Sequence, residues 1–395
     1  MAYTVLAFSL VEYQTRLAKV RARMIEHELD VLIVHDPANM CWLTGYNSWS
    51  FYVPQCVVVT HYGEPLWFGR EMDAAGAKRT CYLEPHNITS YPDAYVMNPP
   101  LHPMDYLAQR VLMPRDWHCG RIGVEKDNYY FSAAAYDALW HSLPKCELLD
   151  ATGLVNQCRA IKSPQELIYL DHAARIVEQM HYIAFELIDV GLPKHHLVAE
   201  IQRQATLGVD DHFGDYPSIV PLLPSGTESC APHLTWDERA FRRGEGTCLE
   251  IAGVHRRYHS PLCRTIFLGE PPSFFLRADD ALNRGLEAGI EVAKPGNTCA
   301  DIANALNAIL DKAGFSRRDT RCGYSVGLSY PPDWGEHTMS LRASDHTVLE
   351  PGMVFHFMPG LWRDDWGLET TESIVITEHG AKPLCDYPRH LFVKK

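Results

Sequence analysis

Apolar residues between positions 11 and 29 recur at helical spacing, and Val31–Val34 follows as a short unbroken apolar run, the pattern of a helix leading into a buried strand. Asp36–Tyr46 reads as a turn into a second segment, and Gln55–Thr60 as another strand. His61–Glu64 supplies a hairpin-like turn into Pro65–Phe68. Arg121–Val124 is a further strand, with a helical stretch near residues 131–142. This alternation predicts an α/β domain over residues 1–155. At the junction beyond it, Ser163 is placed to cap a helix, Pro164 suits the first turn, and Glu166 completes a capping box. The helix opened there is long and amphipathic and is stopped by Gly191 and Pro193; another spans the residues from about His196 to Gly208. Past residue 217 the period becomes that of strands, at Ser218–Val220, Gly246–Glu250 and Cys263–Phe267. Two more helices flank Lys294–Gly296, and the chain is strand-rich from Gly323 onward. Helices grouped around a mostly antiparallel sheet predict an α+β domain over residues 156–395.

A chain of 395 residues is too long for one ordinary core, which agrees with two domains. With 46% apolar and 22% charged residues the composition is globular, and disorder is not expected. The formal charge of −13 argues against a grip on nucleic acid or on an anionic membrane. No apolar run approaches the roughly 18 residues of a membrane helix. The N-terminal stretch Met1–Gln14 lacks the basic segment and cleavage site of a secretion signal. Twelve cysteines are scattered without CxxC pairs, the pattern of reduced thiols in a cytoplasmic protein.

Five segments carry a resemblance: Asn39–Tyr46 (NMCWLTGY), Arg159–Glu166 (RAIKSPQE), Lys294–Gly296, Leu349–Met353 (LEPGM) and Ile374–Thr377. Their order and spacing resemble the creatinase/prolidase/methionine aminopeptidase family across nearly the whole chain. The resemblance implies an α/β N-terminal domain followed by an α+β pita-bread (creatinase/aminopeptidase-like) catalytic domain, whose pseudo-symmetric halves enclose the site. Metal-dependent members hold two divalent ions with two Asp, one His and two Glu, since such cations need several anionic oxygens. On that pattern the ligand positions become Glu250, Pro261, Tyr324, Met358 and Thr371, with Glu372 adjacent to the last. Proline has no side-chain donor and methionine suits hard cations poorly, so neither a metal nor another cofactor is expected. Creatinase, of the same fold, also works without metal.

Each candidate residue has a plainer rival reading. Glu250 lies in an otherwise apolar strand, where a carboxylate is costly unless paired or functional. It is a nucleophile or base, or half of a buried bridge to an arginine such as Arg264. His233 matches the acid/base position of creatinase, a task that suits an imidazole near neutral pH; otherwise it is a loop histidine bonded to backbone. Arg342 stands where creatinase grips its substrate's carboxylate, through the paired hydrogen bonds a guanidinium can offer, or else makes a structural ion pair. Tyr258 matches an active-site tyrosine, and Glu336 follows a Pro-Pro-x-Trp turn suited to walling a pocket. Asp365, between Trp362 and Trp366, is either a partner for a cationic ring or a solvated loop carboxylate. Trp49, Phe51 and Tyr52 form an aromatic cluster suited to a delocalised cation or to core packing. In the family this segment reaches into the second subunit's site, which implies a homodimer. His255 and His259 lack the glutamate of an HExxH motif and do not read as a zinc pair.

The set Glu250, Pro261, Tyr324 and Met358 is most similar to the branch of the family that opens the cyclic amidine ring of ectoine. That zwitterion requires an acidic partner for its ring and an arginine for its carboxylate. The resemblance implies a metal-independent hydrolase giving N-acetyl-2,4-diaminobutyrate, with Glu250 and His233 catalytic and a separate deacetylase downstream. Around the substrate it places Trp49, Phe51, Tyr52, Tyr258, Tyr324, Glu336, Arg342 and Asp365. The alternatives are a creatinase-like amidinohydrolase, a metal-dependent Xaa-Pro dipeptidase, and a catalytically inactive pita-bread binding module. The first is weakened because Phe51–Val53 lacks the expected second arginine.

Overall fold

The computed structural model describes residues 6–317 and 320–395, so the start of the N-terminal apolar stretch lies outside the described residues. The chain divides into two compact units, Met1–Arg159 and Ala160–Lys395. No helix among the described residues is long and apolar enough to cross a membrane. All twelve cysteines are free thiols.

The first unit is a sheet of six strands: β1 (Val31–Val34), β2 (Cys56–Thr60), β3 (Leu66–Arg70), β4 (Ile88–Tyr91), β5 (Gly120–Val124) and β6 (Cys146–Asp150). Their order is β4-β3-β2-β1-β5-β6, with β1 antiparallel to β2 and parallel to β5. The helices are α1 (Leu10–Glu26), α2 (Pro37–Thr44), α3 (Ala74–Thr80), α4 (Pro103–Tyr106), α5 (Ala133–Ser142) and α6 (Leu154–Arg159). Successive residues of β1 enter two different cores. Leu32 and Val34 meet Leu17, Val20 and Met24 of α1, while Val31 and Ile33 share the other core with Leu107 and Leu139. A strand covered on both faces has no polar side, which is why its apolar run is unbroken. The expected turn at Asp36–Tyr46 is instead helix α2. Asp36 accepts hydrogen bonds from the amides of Ala38 and Asn39, Pro37 fits the first turn, and Gly45 closes the helix at φ 82°. All of α2 except Cys41 is buried, so the segment shows no helical alternation.

The second unit opens with α7 (Pro164–Leu187), whose capping box forms as expected: Ser163 Oγ accepts from the Glu166 amide and the Glu166 carboxylate from the Ser163 amide. α8 (Lys194–Leu207) follows, then the long hairpin β7 (Gly246–His255) and β8 (Tyr258–Leu268), buried throughout. Next come α9 (Ser273–Val292), α10 (Cys299–Lys312), β9 (Gly323–Val326), β10 (Gly335–Ser340), β11 (Val354–Phe357), β12 (Gly360–Trp362), β13 (Gly367–Glu369), β14 (Glu372–Thr377), β15 (Gly380–Pro383) and β16 (Phe392–Lys394). Strands β10-β9-β11-β14-β15 form an antiparallel sheet, backed by Leu282 and Leu286 of α9 and Ile302 and Leu306 of α10. β16 pairs parallel to β8 beside β7. Ser218–Val220, expected as a strand, is irregular, because the Ser218 amide donates to His259 Nε2 instead of to a ladder.

The two faces of the β7–β8 hairpin divide the chemistry of this unit. Leu249, Ile251, Leu262 and Ile266 pack on Ile176, Val177 and Met180 of α7. At Gly253 the helix comes so close that a Cβ would stand 2.0 Å from the Ala173 carbonyl oxygen. Glu250 and its cross-strand neighbour Cys263 lie on the opposite face, with Cys248 and Thr265 one step along.

Candidate active site

Glu250 sits mid-strand on β7, buried, and its backbone exchanges hydrogen bonds with Leu222. Burial, and after it the charge of Glu369, holds its carboxyl well above the usual carboxylate range. Glu369, at the end of β13, is itself raised to about 7 by burial, offset by a hydrogen bond with the Cys263 thiol and by the charge of Arg317. Two carboxyls in a dry site cannot both ionise, so the pair retains a proton near neutral pH. Glu369 is anchored through its backbone: its amide donates to Thr265 Oγ1, which donates in turn to its carbonyl. Its Oε1 and the buried Arg317 Nη1 have no hydrogen-bond partner among the described residues. Both atoms are free to meet a polar ligand.

A hydrogen-bonded chain runs beside this pair. Trp334 Nε1 donates to the Tyr324 hydroxyl (2.8 Å), which lies 3.2 Å from His356 Nδ1; His356 Nε2 is 2.8 Å from Thr371 Oγ1. Thr371 Oγ1 also accepts from the Cys263 amide. His356 is fully buried, and burial together with Arg321 lowers its pKa to about 3, so the ring is neutral and carries one proton. The Arg321 guanidinium lies 4.7 Å from the centre of the Tyr324 ring. Burial and the charge of Glu250 push the Tyr324 hydroxyl well above its ordinary range.

Thr371 and Glu372 point to opposite sides, which decides the last ligand position. Thr371 faces His356, whereas Glu372 turns to the back of the hairpin, 2.6 Å from Arg264 Nη2 and 3.0 Å from Arg389 Nε. Arg264 is cross-strand to Leu249, so it lies on the far face from Glu250 and cannot be its partner. The family's dinuclear metal does not fit this donor set. Pro261 offers only a carbonyl, already taken by Ser373 Oγ, Met358 a thioether, and Thr371 a hydroxyl already bound on two sides.

Other expected residues stand differently. Glu336 is buried but forms an ion pair with Lys162, with both side chains 1% exposed, so its charge is already neutralised. The residue of that turn that reaches the site is Trp334. The Tyr258 hydroxyl, fully buried, donates to Glu166 at 2.7 Å and is occupied by the scaffold. Arg342 is exposed in the turn after β10, and Asp365 is exposed at the tip of the β12–β13 hairpin. His233 is exposed in the loop after residue 230. That loop is tied to the site where Leu223 donates to the Leu234 carbonyl, next to the Leu222–Glu250 pairing. In the first unit Trp49 and Phe51 have ring centres 4.8 Å apart, and the Tyr52 hydroxyl accepts from Arg70. Trp49 and Tyr52 are exposed.

Glu369, His356, Arg317 and Arg321 were not singled out by sequence reasoning. His356 did carry a signal, as the polar residue of an apolar strand, Val-Phe-His-Phe. Glu369 carried none, because only strand pleating separates it from Glu372.

Residues 169–378 match the model of metallopeptidase family M24, and residues 16–161 that of the creatinase/prolidase N-terminal domain. Over 394 residues the chain is 60% identical to the protein named Ectoine hydrolase of Halomonas elongata, covering 98% of this chain and 99% of that one. It is 25% identical to a creatinase of Bacillus sp., covering 98% and 94%. A prolidase of Thermococcus sibiricus superposes with a TM-score of 0.83 at 17% identity, over 98% of this chain and all of the other. A dipeptidase of Pyrococcus horikoshii does so with 0.80 at 20%, over 96% and 100%. With these matches spanning both units, the chain belongs to metallopeptidase family M24, as a member that carries the creatinase/prolidase N-terminal domain before its pita-bread domain.

Proposed function

We propose that this protein is a hydrolase that opens the cyclic amidine ring of ectoine to N-acetyl-2,4-diaminobutyrate, without a catalytic metal. The observation that carries the reading is the whole-length 60% identity with the Halomonas elongata ectoine hydrolase. The site supports it through its charges. A buried carboxyl pair, Glu250 and Glu369, suits the amidinium, and the guanidinium of Arg321 over the Tyr324 ring suits the carboxylate, while Arg317 lies within electrostatic reach of Glu369. A cationic ring seated against Glu250 supplies the counter-charge that lets it ionise, its proton passing to Glu369.

The Glu250 carboxylate then attacks the carbon between the two ring nitrogens, forming an ester-like C–O bond to the tetrahedral carbon. His233, from its loop, protonates the departing nitrogen as that C–N bond breaks. It next takes a proton from water, which attacks the same carbon and releases Glu250 and the amide product. Two assignments of the substrate carboxylate compete, Arg342 and Arg321, and the position of Arg321 over Tyr324 favours the latter. The N-acetylated product implies a deacetylase as the next enzyme. The aromatic segment Trp49–Tyr52 completes the site of a second subunit in a homodimer.

The test is mass spectrometry of the His233→Ala variant incubated with ectoine in labelled water, with and without a strong chelator. A substrate-sized adduct on Glu250, unaffected by chelation, is expected. Absence of any adduct on Glu250 would sink the covalent route. Loss of wild-type turnover on chelation, restored by metal, would sink the metal-free one.

A further inference from the structure

A second cluster lies on the opposite face of β7. His172 of α7, His212 of the loop after α8 and His255 at the end of β7 bring ring nitrogens to within 4.8 Å of one another. We infer that His172, His212 and His255 form a binding site for one borderline divalent transition-metal cation, of the Zn2+ type, separate from the Glu250 site. His255 lies five residues beyond Glu250, so it points to the other face and is about 16 Å further along the strand. The inference is therefore independent of the ring-opening chemistry.

Two features converge on this assignment. The backbone positions are set by close approaches that only glycine permits. Gly253 brings α7 onto β7 beside Ala173, which places His172 against His255. Gly208 and Gly214 clamp the loop, since a Cβ at either would stand 1.8 Å from the His212 carbonyl oxygen or 1.5 Å from that of Ala205. Val209 and His212 close the turn by exchanging two backbone hydrogen bonds of 3.0 Å. His212 is thus displayed on a fixed turn.

The second feature is hydrogen bonding. His255 Nδ1 donates to the Phe213 carbonyl at 2.9 Å, which leaves the lone pair on Nε2, the arrangement that backbone carbonyls give to metal-ligating histidines. His172 Nδ1 is buried and has no hydrogen-bond partner among the described residues.

Three imidazoles select zinc, nickel or copper over magnesium or calcium. The His172 and His212 rings now stack, 3.5 Å apart and 14° from parallel, and in-plane lone pairs of parallel rings do not meet. Rotation of the partly exposed His212 about its Cβ–Cγ bond turns a nitrogen toward the shared point. A tetrahedral ion with Zn–N bonds of about 2.0–2.1 Å requires ligand atoms ~3.4 Å apart, closer than the 4.8 Å span of the cluster. Water takes the fourth position. The bound ion ties together α7, the loop after α8 and the end of β7, so it acts on stability.

The test uses untagged full-length protein, stripped with chelator and titrated with Zn2+ by calorimetry, alongside thermal melting and the visible spectrum with Co2+. The expected result is one Zn2+ per chain, a raised melting temperature, and Co2+ bands of a low-coordinate nitrogen site. His172→Ala and, at the surface turn, His212→Ala should each weaken Zn2+ binding at least tenfold and abolish the melting shift, while Glu250→Gln retains both. No stoichiometric uptake by the wild type overturns the proposal. So does uptake unchanged in both histidine variants, or uptake lost only in Glu250→Gln.

Discussion

Glu250, the proposed nucleophile, sits where a carboxyl is costly for folding. A buried carboxyl whose pKa is raised keeps its proton in the folded state while the unfolded chain loses it near the ordinary value. Between the unfolded value and the folded one the unfolded chain binds fewer protons, so stability falls as pH rises through that window and levels off above it. For Glu369 the window runs from 4.5 to about 7. Glu369→Gln should remove most of this slope, making the variant more stable than wild type at pH 8 by on the order of 2 kcal/mol. Thermal unfolding across pH 5–8 checks it, and parallel curves for the two proteins would reject it. At the other end of the site, Arg321→Lys should raise KM for ectoine about tenfold or more with kcat less affected, since an ammonium cannot reproduce a planar two-bond grip. Steady-state kinetics decide between the two arginines. A rise in KM with Arg342→Lys and none with Arg321→Lys returns the carboxylate to Arg342.

At the scale of elements, the β7–β8 hairpin keeps the proposed site and the scaffold apart by alternation alone. The scaffold face includes the Arg264–Glu372 pair, both almost fully buried, with Arg264 also donating to the carbonyls of Pro388, Cys263 and Thr371. Removing one partner leaves an uncompensated buried charge, so Glu372→Ala should cost about 3–5 kcal/mol. Replacing both residues by well-packed apolar ones should cost much less. Denaturant titration of the single and double variants measures the difference, and a single variant of wild-type stability would mean the pair carries no such penalty.

At the scale of the whole molecule, the proposed dimer rests on the first unit's aromatic segment, where Trp49 is 58% and Tyr52 56% exposed. Large apolar side chains at that exposure suit a partner surface, and closed twofold pairs are the commonest soluble assembly. Light scattering coupled to size exclusion should give twice the chain mass, and Trp49→Ala with Tyr52→Ala should lower activity. A monomer with full activity at assay concentration would sink the proposal.

The sequence by itself determined the helix and strand runs that have a clear period, such as β1, and the capping box of α7. It also placed Glu250 in an apolar strand. Those features are local, written in side-chain alternation and in capping chemistry, whereas the lost ligand chemistry at Pro261 and Met358 was legible only through the family resemblance. Helix α2 stayed hidden because a helix buried all round has no amphipathic signal. Only the tertiary structure decided that Glu369, not Glu336, shares the buried space of Glu250, and that Arg264 serves Glu372. The same holds for Arg321 over Tyr324 and for three histidines from distant segments whose ring nitrogens lie within 4.8 Å of one another. Each depends on which face of a strand a residue occupies and on what packs against that face, and these are set by pairing between segments far apart in the chain.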